Sequence, residues 1–318
     1  MTSQHLPDPT ITAALKQLRV ASPHSHKGQN GKLLIIGGSQ LFHAASRWSL
    51  DVAARLVDMV IYSSVSENNE LIKEAKQNFW DGIVVPRSEL ESYISEVDCI
   101  LIGPGMTRTR EVSSTWSEAL LSAARVGTVL PPAEFDWEND TYAVTNYLLA
   151  KYPQKKWVID AGALQMLEPA LLTPSMIITP HAKEATHVFP RLDVLSLQRG
   201  ELQQSDAQLF AFSAQVGNGA TVLLKGEVDW VFSATQCVAV RGGNAGMTKG
   251  GTGDVLAGLV AGLACVNDVF SAAVVASYVN KCAGEDLART VGPFFTTTEL
   301  AARVPEVLWQ AVQAATVE

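Results

Sequence analysis

The sequence predicts an α/β fold in which a mostly parallel sheet is covered by helices on both faces. Three observations lead there. From about Gly31 onward, short β-branched or Leu-rich runs recur; each ends abruptly in Gly, Asp, Thr-Pro or Lys-Gly; and a segment of helical character follows. Such alternation is what a parallel sheet with helical crossovers requires.

Taken in order, the runs are Lys32 to Ile36, Met59 to Ser63, Ile83 to Val85, Cys99 to Ile102, Trp157 to Ile159, Met176 to Ile178 and Thr221 to Leu224. Five of them are punctuated by Gly37-Gly38-Ser39, Gly103-Pro104-Gly105, Asp160-Ala161-Gly162, Thr179-Pro180-His181 and Lys225-Gly226. In open α/β sheets the ligand crevice lies outside the carboxyl ends of the strands, so these turns are expected to line one edge together. The pattern then changes. Val228 to Phe232 and Cys237 to Arg241 read as two strands joined by the polar turn Ser233 to Gln236, a hairpin. Beyond it come a Gly-rich turn, an apolar helix from Val255 in which Gly258 and Gly262 permit close packing, and helices around Ser271 to Ala288 and Thr298 to Ala314. The absence of a Pro-, Gly- or Ser-rich linker favours one domain over residues 21–318, preceded by a polar N-terminal arm over residues 1–20. Residues 127–156, with Pro131-Pro132 and the acidic Glu134 to Asp140, read as a surface excursion.

Composition narrows the function. Of 318 residues, 47% are hydrophobic and 18% charged, ordinary globular usage. A net charge of −8, from 24 basic and 32 acidic residues, supplies no basic field for nucleic acid. Cys99, Cys237, Cys265 and Cys282 form no zinc or disulfide framework. The polar start, Met1 to Pro9, shows no secretory signal, and Val255 to Val266 is too short to cross a bilayer, so a cytoplasmic protein without membrane contact is expected.

The segment Gly242 to Asp254 holds six glycines in thirteen positions and runs directly into the apolar helix. Glycines admit an anion close to the backbone, and the free N–H groups of a helix N-terminus bind phosphate. Asp254 as a simple N-cap is the alternative. One cap does not call for Gly242, Gly243, Gly246, Gly250, Gly251 and Gly253, and the phosphate reading is preferred on that ground. Lys225 places a cation on the same edge, where it can neutralise a nucleotide phosphate. His181 and Glu184, three apart after a strand, suggest a substrate contact and a Mg²⁺ contact; a capping role for Glu184 is the alternative. Asp160 is either a crevice carboxylate or a helix N-cap.

In their order, His26-Lys27-Gly28, Gly37-Gly38-Ser39, Gly103-Pro104-Gly105, Thr179-Pro180-His181 with Glu184, Leu224-Lys225-Gly226, Asn244-Ala245-Gly246-Met247 and Gly250-Gly251-Thr252-Gly253-Asp254 resemble one family. It is the ADP- or ATP-dependent NAD(P)H-hydrate dehydratases of the ribokinase-like superfamily, and the separate epimerase domain found fused to many members is not expected here. The resemblance implies a three-layer sandwich and a repair activity: the added hydroxyl of NADH hydrate or NADPH hydrate is phosphorylated and phosphate is then eliminated. It implies that Lys225, Gly226, Glu227, Val228, Asp229, Asn244, Gly246, Gly251, Thr252 and Gly253 contact the adenine nucleotide, ADP or ATP. Ala45, Gly105, His181 and Asp254 would contact the hydrate, Asp254 as catalytic base, with Mg²⁺ near Glu184. The expected partners are the hydrate, the nucleotide and further copies of the chain as a homo-oligomer.

The chain departs from the family's pattern at four places. Gly162 stands where a second carboxylate is usual, which predicts a weakened substrate or metal contact; Phe42 and Ala44 replace Tyr and Gly; and Ala182-Lys183 follows His181 where Pro-Gly is usual. The stretch between Gly105 and Asp160 is also longer than usual. Two rival readings accompany these departures: a vitamin-precursor kinase of the hydroxyethylthiazole or hydroxymethylpyrimidine type, and a non-catalytic adenine-nucleotide sensor.

Overall fold

The computed structural model describes residues 8–77, 81–111, 114–131, 136–189 and 218–317. Its strands are β1 (Lys32–Ile36), β2 (Met59–Ser63), β3 (Ile83–Val84), β4 (Cys99–Ile102), β5 (Lys156–Ile159), β6 (Met176–Ile178), β7 (Thr221–Leu224), β8 (Asp229–Phe232) and β9 (Cys237–Val240). They form one nine-stranded sheet in the order β3-β2-β1-β4-β5-β6-β7-β8-β9. Neighbours from β3 through β7 are parallel, and β8 and β9 add antiparallel. Every predicted strand is present, the hairpin included.

Alternation along each strand builds two cores, one per face, because successive side chains point to opposite sides. Leu33, Ile35, Cys99, Leu101, Val158, Ile177, Leu223 and Val231 face one way. Their neighbours Leu34, Ile36, Ile100, Ile102, Ile159, Ile178, Leu224 and Phe232 face the other. The first face is covered by α1 (Pro9–Gln17), α2 (Ala44–Ala53) and three C-terminal helices, with Ile72 of α3 (Ser66–Ala75) joining it. The second face is covered by α4 (Leu90–Ile94), α5 (Ser114–Val126), α6 (Thr141–Lys151), α7 (Ala161–Met166) and α8 (Ala182–Val188). The C-terminal three are α9 (Thr252–Ala264), α10 (Val269–Val291) and α11 (Thr297–Val317). The close packing that Gly258 and Gly262 permit is present, and its partner is α2 with the residues just after it: a Cβ at Gly258 would stand 2.6 Å from the Ser49 carbonyl oxygen, and one at Gly262 would stand 2.8 Å from Leu56 Cδ1. No helix among the described residues is long and apolar enough to cross a membrane.

Two stretches differ from expectation. The polar arm carries helix α1, capped by Asp8, whose carboxylate accepts from Thr10 N–H at 2.8 Å. Ile11, Ala14, Leu15 and Leu18 recur at helical spacing and are buried in the main core, so this part of the arm belongs to the packed body. Residues 127–156 are not one surface excursion either, because α6 within them is buried from Thr141 to Ala150. Being apolar around most of its circumference, α6 has no amphipathic stripe to announce it. Pro132 and Glu134 lie outside the described residues.

Strand order reverses at β1 and β4, where the chain has built outward to β3 and then returns to the far side. Crevices open at such switch points. Here the two turns beyond the strand ends meet directly: Gly38 N–H donates to the Pro104 carbonyl at 2.7 Å.

Candidate functional site

The parallel ladder continues beyond β6 and β7, with His181 paired to Lys225 and Lys225 N–H donating to the Pro180 carbonyl at 2.8 Å. That extension carries Lys225 over the end of β5. Its ammonium donates to Asp160 Oδ1 at 2.8 Å, and Thr179 Oγ1 donates to the same oxygen at 2.7 Å. Asp160 therefore holds a lysine: it occupies the N-cap position of α7 but makes no side-chain cap bond.

Asp254 comes to this cluster from α9. The N-cap of that helix is Gly251, at φ 98°, a left-handed conformation that glycine adopts without a Cβ penalty. Trp48 closes over it, so that a Cβ at Gly251 would stand 2.2 Å from the indole. Thr252 N–H is tied back to the Lys249 carbonyl at 3.4 Å. The next two N–H groups, of Gly253 and Asp254, have no acceptor among the described residues. Asp254 is consequently the third helical residue, and the N-cap alternative does not hold. Its carboxylate accepts no hydrogen bond from a described group. Burial, with Asp160 beside it and Glu184 near, pushes its pKa up to about 7, although Lys225 pulls it down.

At Lys225 the balance runs the opposite way. Burial works against its charge, but Asp160, Glu184 and Asp254 outweigh burial and hold its pKa above the ordinary lysine value. Three carboxylates thus surround one ammonium. Glu184 performs the capping role that its sequence position left open: Oε2 accepts from His181 N–H at 2.9 Å, and His181 Nδ1 accepts from Glu184 N–H at 3.2 Å. Gln165 Nε2 donates to its other oxygen at 2.9 Å.

Between this cluster and α10 opens a cleft of about 870 Å³, walled by Lys225 to Asp229 on one side and by Arg241 to Ala245 on the other, with Thr252 and Gly253 at its end. Of the residues expected to meet a nucleotide, Lys225, Gly226, Glu227, Val228, Asp229, Asn244, Thr252 and Gly253 line it. Gly246 and Gly251 are not among the lining residues; they pack against Phe295 and Trp48. Asp229 is committed to shaping the wall, accepting from Gly226 N–H at 2.8 Å and Ser277 Oγ at 2.7 Å.

Sequence reading missed Asn280 and Lys281, both buried and both on the cleft. The Lys281 ammonium donates to the carbonyls of Gly226 at 3.1 Å, Glu227 at 3.1 Å and Gly242 at 3.3 Å, clipping both walls to α10. A polar pair within the otherwise apolar run of α10 is the only signal that would have found them.

On the other side of Asp254, Ser49 Oγ donates to the Asp254 carbonyl at 2.8 Å and reaches the Ala45 carbonyl at 3.5 Å. A Cβ at Gly105 would stand 3.0 Å from that of Ala45 and 3.2 Å from Gly38 Cα. The fold thus gathers Ala45, Gly105 and the Gly37-Gly38 turn at one end of the crevice, and His181 at the cleft. Phe42 is exposed at this end. Gly162, where a carboxylate is usual, is buried with no room for one: a Cβ there would stand 2.1 Å from the Met106 carbonyl oxygen.

The fold is that of the ribokinase-like three-layer α/β proteins. A ribokinase-like superfamily protein from Enterococcus faecalis superposes with a TM-score of 0.69 at 21% identity, covering 97% of this chain and 99% of that one. Within the class the chain belongs to the NAD(P)H-hydrate dehydratase family, whose model matches residues 33–306. The bifunctional NAD(P)H-hydrate repair enzyme of Methanocaldococcus jannaschii is 32% identical over 92% of this chain and 51% of its own length. This chain spans about half the length of several such curated relatives. The ADP-dependent (S)-NAD(P)H-hydrate dehydratase of Nitrosopumilus maritimus is 29% identical, over 94% of this chain and 96% of its own. The Bacillus subtilis ADP/ATP-dependent NAD(P)H-hydrate dehydratase, co-crystallised with ATP and Mg²⁺, shares the fold at 20% identity with a TM-score of 0.69, covering 94% of this chain and 97% of that one.

Proposed function

We propose that this chain is an ADP- or ATP-dependent (6S)-NAD(P)H-hydrate dehydratase, a lyase that phosphorylates the added hydroxyl of NADH hydrate or NADPH hydrate and eliminates phosphate. One observation carries the reading. Asp254, whose carboxylate accepts no hydrogen bond from a described group and whose pKa is pushed up to about 7, sits between a nucleotide-sized cleft and the switch-point turns, beside the free helix N–H groups of Gly253 and its own backbone.

A base with that pKa at neutral pH combines a useful ionised fraction with real proton affinity. Asp254 takes the proton of the substrate hydroxyl, whose oxygen attacks the terminal phosphorus of the nucleotide. The N–H groups of Gly253 and Asp254 and the ammonium of Lys225 stabilise the charge on the transferring group. The C–O bond of the resulting ester then breaks, inorganic phosphate leaves, and the adjacent carbon gives up a proton to solvent, which restores the ring double bond. Ala45, Gly105 and His181 flank the hydrate in this arrangement.

Three carboxylates around one ammonium leave an excess of negative charge that suits a divalent cation. Asp160 Oδ1 and both carboxylate oxygens of Glu184 are already engaged within the protein, and among the described residues no three His, Cys, Asp or Glu side chains gather to ligate a metal unaided. The residues therefore fit Mg²⁺ bound mainly through nucleotide phosphates and water, with Glu184 and Asp160 behind the water. When bound, it would neutralise phosphate charge.

The test is direct. Purified protein is incubated with acid-generated NADH hydrate, Mg²⁺ and ADP or ATP while near-UV dihydronicotinamide absorbance is followed. Recovery that depends on nucleotide supports the dehydratase. A stable phosphorylated product would favour the kinase reading, and nucleotide binding without turnover the sensor.

A further inference from the structure

Arg87, next to the short strand β3, is buried to 3% exposure directly beneath the switch-point turn. Its Nη2 donates to the carbonyls of Gly37 at 2.9 Å and Gly38 at 3.0 Å; its Nη1 donates to those of Glu138 at 2.9 Å and Trp137 at 3.3 Å. Nε has no partner. No carboxylate among the described residues forms an ion pair with it; Glu138 instead accepts from Ser66 N–H and Oγ. Burial lowers its pKa to about 10, with Tyr62, Glu138 and Asp136 opposing, so it stays charged at neutral pH. A guanidinium bonded by carbonyls alone is costly to bury for packing.

Peptide geometry says what this arrangement leaves over. In a trans peptide the N–H points opposite to the preceding carbonyl, and no cis bond occurs here. Drawing the Gly37 carbonyl inward turns Gly38 N–H toward the Pro104 carbonyl, which it meets at 2.7 Å. Drawing the Gly38 carbonyl inward turns Ser39 N–H away from Arg87, and it has no acceptor among the described residues. Glycine is required at position 38, where a Cβ would fall 2.2 Å from Asn68 Nδ2.

We infer that Arg87 is a positioning residue for the hydrate: it fixes the Gly37-Gly38 carbonyls so that Ser39 N–H, with a cation behind it, binds an anionic oxygen of the dinucleotide's diphosphate. This inference rests on the dehydratase reading. It also gives a purpose to Trp137 and Glu138, whose carbonyls the same guanidinium ties to the turn.

The experiment separates the two substrates. Arg87→Lys keeps the charge but cannot fork to both pairs of carbonyls. Michaelis constants for NADH hydrate and for the nucleotide are measured, together with direct fluorescence titration of NADH, which needs no turnover and so reports even if the dehydratase reading fails. The expected result is weakening of hydrate and NADH by roughly tenfold or more, as for a lost charge-assisted hydrogen bond, with the nucleotide constant within about twofold. A folded variant with unchanged dinucleotide binding, or with both constants worsened equally, overturns the inference. Should Arg87→Lys not fold, Ser39→Pro removes the N–H together with the hydroxyl that accepts from Phe42 N–H, and Ser39→Ala removes only that hydroxyl. Weakening in the first and not the second supports the inference, and equal behaviour of the two overturns it.

Discussion

Lys225 and Asp160, 65 positions apart in sequence, form an ion pair at 2.8 Å with side-chain exposures of only 19% and 3%. The cation that faces the cleft is therefore held in place before any phosphate arrives, and its partner is the strand-end carboxylate rather than solvent.

Removing the ammonium alone strands Asp160. Lys225→Met is expected to destabilise the protein by about 3 kcal/mol, because a buried pair broken on one side leaves an uncompensated charge. Lys225→Met with Asp160→Asn should recover most of that loss. Neither variant should keep the wild-type response to nucleotide, which for a ligand at a hundredfold excess over its Kd is about 2.7 kcal/mol. Thermal melts with and without millimolar ADP and ATP check both halves; an undiminished shift in the double variant removes Lys225 from the nucleotide site.

Asp254→Asn tests the base. Asp254 makes no cap bond, and burial together with the neighbouring carboxylates disfavours its charge more than Lys225 favours it. Melting at pH 8 should be unchanged or higher, nucleotide binding retained, and turnover reduced roughly 10²- to 10⁴-fold. Steady-state rates comparable to wild type would leave Asp254 without a catalytic part.

The same carboxylate sets a pH dependence. Its folded pKa, about 7, lies above the ordinary aspartate value, so the unfolded chain releases the proton first. Its contribution to stability is fully present below about pH 4 and is lost as pH rises through about 7. Urea unfolding should show wild type losing ground to Asp254→Asn between pH 5 and pH 8, while kcat/KM of wild type rises across a limb near pH 7. A wild-type-minus-variant difference that is flat with pH would mean that the carboxyl titrates normally.

Gly162 carries the opposite expectation from the one its motif suggests. Restoring the missing carboxylate as Gly162→Asp would improve turnover only if the position faced the crevice, but its side chain would run into the Met106 carbonyl. Gly162→Ala and Gly162→Asp should both cost about 1–3 kcal/mol, from overpacking against backbone rather than from charge. Denaturant midpoints decide; a stable, more active Gly162→Asp would show that the Met106 segment yields.

Much of this molecule was legible locally. Strand runs, their terminal punctuation and the hairpin follow from period-two patterning and from residues that stop a strand, and all the strands they predicted are present. That α9 packs closely could be read from Gly258 and Gly262 because steric size is a property of the residue itself, whereas its partner α2 could not. Helix α6 escaped, since a helix buried around most of its circumference offers no polar face to set its period, and α1 was hidden in a stretch whose average is polar.

The sequence by itself determined the parallel sheet, the crevice edge and the Gly-rich helix entry, because strand periodicity and glycine backbone freedom act over a few residues. Tertiary structure alone decided what the charged groups do there. Whether Asp160 caps or pairs, whether Glu184 is open or engaged, and how far the Asp254 pKa moves depend on desolvation and on charges brought from β5, β7, α8 and α9. Burial and Coulomb energy are set by distance in space, which the spacing of residues along the chain does not contain.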